Sequence, residues 1–144
     1  MNKILESLIP FCKVKNIGNA LKNTEEHTPR VKFIVSLLEN LGIPYEVETF
    51  TPRETPFHNI ILRGTNNRMV IAHHDIVNPE SDNANDNSAS VINAIYLKSL
   101  VPELNVVLTD GEEVGFIGAN QLGRQILFGD FGDIEWVLNI ELSG

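Results

Sequence analysis

Two short apolar runs, 69–72 (MVIA) and 104–108 (LNVVL), each lead into a cluster of potential metal ligands. Runs of this length are too short for helices and suit strands covered on both faces. Between them Ile92, Ile95, Tyr96 and Leu100 recur at helical offsets, so the stretch reads strand, helix, strand. A unit of that kind closes by a right-handed crossover and makes its two strands parallel. Open parallel sheets bind their ligands outside the carboxyl ends of the strands. His73, Asp75 and Asp86 follow the first run, and Asp110, Glu112 and Glu113 follow the second, so one crevice is expected to gather both sets.

The flanking sequence extends this unit. Thr28 offers an N-cap and Pro29 the favoured first helical position, and Val31, Ile34, Val35, Leu38 and Leu41 follow at helical spacing until Gly42 and Pro44. Near the start, Ile4, Leu5, Leu8 and Ile9 form a helical stripe that Pro10 ends or bends, read as a surface helix, and 15–26 reads as a polar loop. The alternating 45–50 (YEVETF) and the run 59–62 are strands expected to form an antiparallel extension of the sheet. The segment 115–128 reads as a helix weakened by Gly118 and Gly123, and 136–140 as a third buried strand ending in Glu141.

With 144 residues, 42% of them hydrophobic, the chain suits one α/β domain, 1–144, with a real core. A net charge of −8 argues against nucleic acid, and no basic run suits an anionic membrane. No stretch is long enough to span a bilayer. Cys12 is the only cysteine, so no internal disulfide is possible. A reduced thiol and an N-terminus without a long apolar core or cleavage site fit a cytoplasmic protein.

Carboxylates gathered in one crevice repel one another unless a cation neutralises them, so Asp86, Glu113 and Glu141 beside His73 ask for a divalent metal. Imidazole with carboxylates suits zinc better than magnesium or calcium, and is compatible with manganese or cobalt. Taken singly, each residue has a plainer role. Asp86 and its Asn neighbours fit a polar helix-capping loop, and Glu112 and Glu113 fit first-turn acids. Strand alternation turns His74 away from His73, Asp110 fits a loop-orienting role, and Glu80 and Asp82 fit solvated loop acids, with Asp82 the fallback for Asp86. His27 and His58 read as surface residues. The joint pattern carries the metal reading.

Three segments in order, His73-His74-Asp75, then 84–90 (ANDNSAS), then 110–119 (DGEEVGFIGA), resemble the signatures of the di-zinc aminopeptidase family. Its clan also holds zinc carboxypeptidases and N-acyl amino acid deacylases. The motifs cover about the middle third of the chain. The resemblance implies a three-layer α/β/α fold with a mixed, mainly parallel central sheet. It implies His73 as a first-zinc ligand, Asp75 as the carboxylate fixing its tautomer, and Asp86 as the bridge between two zinc ions. Glu112 takes the place of the general base, Glu113 that of a second-zinc ligand, and Glu141 that of the acidic first-zinc ligand, more often Asp in the family. The implied reaction is hydrolysis of a peptide or amino-acid amide by metal-activated water. A deacylase or carboxypeptidase of the same clan, and a non-catalytic module keeping the fold, are the alternatives.

The family completes its second zinc with a later histidine, whereas no histidine follows His74 in this chain. The expectation is therefore a C-terminally incomplete catalytic domain with a well-formed first-zinc site, a crippled second, and weak or no activity alone. Self-association or a complementing C-terminal half is expected to cover the last strand.

Overall fold

The computed structural model describes residues 3–14, 28–76 and 83–141. The elements are α1 (Lys3–Glu6), α2 (Leu8–Cys12), α3 (Pro29–Leu41), β1 (Glu46–Phe50), β2 (Phe57–Leu62), β3 (Arg68–His73), α4 (Ala89–Leu100), β4 (Asn105–Thr109), α5 (Ile117–Leu127) and β5 (Trp136–Asn139). The polar segment 15–26, Glu80, Asp82 and His27 lie outside the described residues.

The strands form one sheet in the order β1-β2-β4-β3-β5. β3 pairs in parallel with both β4 and β5, while β2 runs antiparallel to β1 and β4. Four strands therefore point one way and β2 alone opposes them, which is the expected parallel core with its antiparallel extension. One face carries Ile60, Leu62, Val70, Ala72, Val106 and Leu108, packed with Ile4, Phe11, Ile34, Leu38 and Ile95 of α1 to α4. The other face carries Ile61, Met69 and Val107 against Leu122 of α5. The result is a three-layer α/β/α sandwich. Each fully buried aliphatic side chain in these layers contributes about 1.5–3 kcal/mol relative to its exposure.

Local chemistry explains the elements. Thr28 caps α3, its Oγ1 accepting from the Val31 amide at 3.4 Å, and Gly42 ends the helix at φ 65°. Buried Lys98 closes the turn from α4 to β4, donating to the carbonyls of Arg63, Pro102 and Leu104 at 2.6, 2.6 and 2.9 Å. Burial lowers its pKa, opposed by the charge of Glu103.

Three expectations need correction. The N-terminal stripe breaks into two short helices at Ser7, whose hydroxyl donates to the Ile4 carbonyl at 2.5 Å. Ile4 and Phe11 are the buried members there, while Leu5 and Ile9 are exposed. β5 is an edge strand rather than a buried one, because it pairs with β3 alone and no described helix covers it. Trp136, Val137 and Leu138 are consequently 43–48% exposed. His58 is buried at 1% exposure, since β2 is an inner strand.

Candidate metal centre

The parallel register sets His73 at the tip of β3 opposite Thr109 at the tip of β4. The chain leaving β3 carries Asp75, and the chain leaving β4 carries Glu112 and Glu113. The Asp75 carboxylate joins the two, its Oδ1 accepting from the Glu112 amide and its Oδ2 from the Glu113 amide, both at 3.1 Å. Asp86 arrives from the segment Ala84–Ser88 immediately before α4, where the backbone kinks out of helical geometry at Asp86 and Asn87. Its Oδ1 stands 3.1 Å from His73 Nε2, while His73 Nδ1 faces Asp75 Oδ1 at 3.4 Å.

One donor atom each from His73, Asp86 and Glu113 lies within 4.8 Å of the others. The sequence assigned all three to metal, and the fold brings them together from three segments. Glu141 stands outside this group. It is exposed beyond the edge strand, and its Oε2 accepts from Asn139 Nδ2 at 3.3 Å. The tip of β5 runs beside that of β3, the Ile140 amide donating to the Ile71 carbonyl at 2.9 Å and the Ile140 carbonyl accepting from Asn87 Nδ2 at 3.2 Å, and the charge of Glu141 helps raise Glu112.

The electrostatics are those of crowded acids around one imidazole. Burial, then the charges of Asp86 and Asp75, push Glu113 up to about 7. Burial also raises Glu112, helped by Glu141, Asp75 and Asp86 against the opposing pull of His73. Burial acts to lower His73, but Asp75, Glu112 and Asp86 outweigh it and leave the imidazole above its usual value. Asp75 moves the other way: burial works against its charge, yet His73, His74 and the Glu113 amide hold it below the usual carboxylate range. His73 Nε2 and Oε1 of Glu113 are buried without a hydrogen bond among the described residues, while His73 Nδ1 has the 3.4 Å approach of Asp75. Unsatisfied buried donors and acceptors are costly, and a cation at their centre would supply the missing partner.

Behind this group lies a polar scaffold only partly legible in the sequence. Asp110 is 2% exposed, and its Oδ2 accepts from the His58 amide at 2.9 Å and its Oδ1 from the Gly111 amide at 2.9 Å. Burial raises its pKa. His74 points away from His73, its Nε2 on the His58 carbonyl at 2.8 Å. Asn59 donates to the Gly118 carbonyl at 3.0 Å and accepts from the Asp110 amide at 3.1 Å. Gly118, read from sequence as a weak point in α5, is a close-approach residue: a Cβ there would meet Asn59 Oδ1 at 2.3 Å and the Asp110 carbonyl at 2.5 Å. Gly111 has φ 70°, and a Cβ would strike the Phe57 ring at 2.7 Å. A cavity of about 430 Å³ opens beside the acidic loop between Val114, Phe50 and Phe57.

Sequence reasoning missed Arg30. It is fully buried, and its position four and eight residues before Ile34 and Leu38 on the apolar stripe of α3 was the available signal.

No protein-family model and no curated protein matches the chain. Solved structures do match it. The Legionella pneumophila LapA aminopeptidase is 14% identical with a TM-score of 0.72, the match covering 98% of this chain and 41% of that one. An Acidobacteriales bacterium glutaminyl cyclase is 19% identical with a TM-score of 0.68, covering 96% and 57%. The M20 family metallo-carboxypeptidase Sso-CP2 from Sulfolobus solfataricus is 16% identical with a TM-score of 0.63, covering 96% and 37%. At these identities the shared property is the fold. The chain spans between 37% and 57% of the length of these three structures. No helix among the described residues is long and apolar enough to cross a membrane.

Proposed function

We propose that this chain carries a metal-binding part of a zinc-dependent amide hydrolase of the aminopeptidase type. The observation that carries the reading is the convergence of His73, Asp86 and Glu113 donors within 4.8 Å from the ends of two parallel strands and the turn before α4. The matched folds bear names with different activities, so the donor set, rather than the fold, selects the chemistry. Catalytic zinc takes three protein ligands drawn from His, Cys and carboxylate and keeps a fourth position for water or substrate, and one imidazole with two carboxylates supplies three such donors. The buried, unpartnered atoms of His73 and Glu113 fit the same role.

A divalent cation at this site supplies Lewis acidity toward an amide carbonyl and makes water acidic enough to lose a proton near neutral pH. The protein's own groups do the rest. Asp75 faces His73 Nδ1, which leaves Nε2 as the metal-facing nitrogen. Glu112 is held by its amide on Asp75 but lies outside the three-donor group. Its carboxylate accepts the proton of the attacking water and returns it to the leaving amine. The raised pKa of Glu112 suits both transfers. The cavity beside Val114 offers room for an apolar group of the substrate. The last histidine of the resembling family has no counterpart after His74, and we place that donor on a complementing segment that also covers β5.

Elemental analysis after equilibration with limiting zinc, followed by assay with an aminoacyl anilide, tests the reading. One zinc per chain, lost in Asp86→Ala, and turnover abolished by chelators are expected, at least once the complementing segment is supplied. Preference for a free over an acylated amino group separates an aminopeptidase from a deacylase. Zinc content unaffected by Asp86→Ala would overturn the assignment.

A further inference from the structure

Arg30 is the second residue of α3 and is fully shielded from solvent, yet it is a charged side chain in an apolar layer. Burial lowers its pKa to about 10, with Cys12 and Asp75 opposing the shift. A buried guanidinium is tolerated only where its donors are matched by acceptors. Its Nε donates to the His74 carbonyl at 2.5 Å, and one terminal nitrogen donates to Ser88 Oγ at 3.0 Å. The other terminal nitrogen donates to the carbonyls of Val14 and Phe11 at 3.3 and 3.5 Å, and the plane lies 3.9 Å from the Phe11 ring centre.

Two of these acceptors have a particular position. His74 is the residue after His73, and Ser88 is two residues after Asp86. The donors on those neighbours, His73 Nε2 and Asp86 Oδ1, are the pair that stand 3.1 Å apart. One rigid fork thus spans, from the helix side, the two backbone segments whose separation sets the width of the donor group. Its contacts with Phe11 and Val14 fasten that fork to the end of α2, so the spacing is tied to the helical layer.

We propose that Arg30 is a positioning residue for the cation centre, fixing the distance between the His73 and Asp86 segments through the His74 carbonyl and the Ser88 hydroxyl. This rests on the reading that His73, Asp86 and Glu113 hold a divalent cation. Lysine cannot replace it, because an ammonium on a flexible stem lacks the planar fork that reaches both segments. Groups that orient metal ligands from behind change affinity by about 10- to 100-fold when removed.

The test compares the whole chain with Arg30→Lys, Arg30→Met and Ser88→Ala. Zinc affinity is read by competition titration and the visible spectrum of bound cobalt(II), alongside cation-free circular dichroism. The expected result is a loss of about 10- to 100-fold in affinity for Arg30→Lys with a changed cobalt spectrum, and a smaller loss for Ser88→Ala. If Arg30→Met fails to fold, Arg30→Lys and Ser88→Ala still decide. Wild-type affinity and spectrum in both would overturn the positioning role and leave the metal assignment standing. A wild-type chain that binds neither zinc nor cobalt would overturn both.

Discussion

Asp75 accepts the Glu113 backbone amide through its Oδ2 at 3.1 Å, so a carboxylate just past β3 holds the loop that leaves β4. The same carboxylate takes the Glu112 amide and faces His73. Asp75→Asn keeps the shape but loses the charge and leaves at least one amide without an acceptor. The expected cost is about 1–3 kcal/mol of stability, read from denaturant midpoints. Zinc affinity should fall by about 10- to 100-fold in a competition titration. An unchanged affinity would remove Asp75 from the centre.

Glu112→Gln separates proton transfer from metal retention. The substitution leaves His73, Asp86 and Glu113 in place, so zinc content should match the wild type. Turnover in the complemented protein should drop by about 10²- to 10⁴-fold. Loss of zinc together with activity would make Glu112 a ligand rather than a base.

The cation-free chain should lose stability as the pH rises from 5 to 8. Glu113 titrates at 4.5 ordinarily and at about 7 when folded, so its contribution is present below 4.5 and lost as pH rises through the folded value. His73, raised from 6.5, acts in the same direction at the upper end. Asp75 is depressed from 3.8, and its contribution is already complete above that value. Zinc binds the deprotonated donors, so the stabilisation it adds should grow across the same window. Urea midpoints at pH 5, 6.5 and 8, with zinc and with chelator, check both slopes. Glu113→Gln should flatten the cation-free one.

Gly118→Ala puts a methyl group against Asn59 Oδ1 and the Asp110 carbonyl. Overpacking of this kind costs about 1–3 kcal/mol. Gly123→Ala meets nothing within 4 Å and sits inside α5, so it should stabilise by about 0.4–1 kcal/mol. Thermal unfolding of the two variants side by side gives opposite signs if the two glycines differ as described.

The elements that position the centre were legible because their patterns are strong. α3 announced itself through Thr28, Pro29 and an apolar stripe, and β3 and β4 through short apolar runs ending in acids. His73, Asp86 and Glu113 followed from those strand ends. What escaped depended on which strand lies next to which. Order along the chain does not reveal that β4 inserts between β2 and β3, which buries His58 and Asn59. Nor does it reveal that β5 takes the edge, which exposes Trp136. Arg30 escaped because a lone arginine on a helix usually faces water, and only its fixed partners here say otherwise.

His73 ends β3, Asp86 precedes α4 and Glu113 follows β4, so they meet only once the two strands have paired across the α4 crossover. Pairing at that sequence separation is the slow, non-local part of folding. A cation gathered by these three donors strengthens contacts made after that step, and so acts on the rate of unfolding rather than on the rate of refolding. What a cation bound there would set is the lifetime of the folded chain.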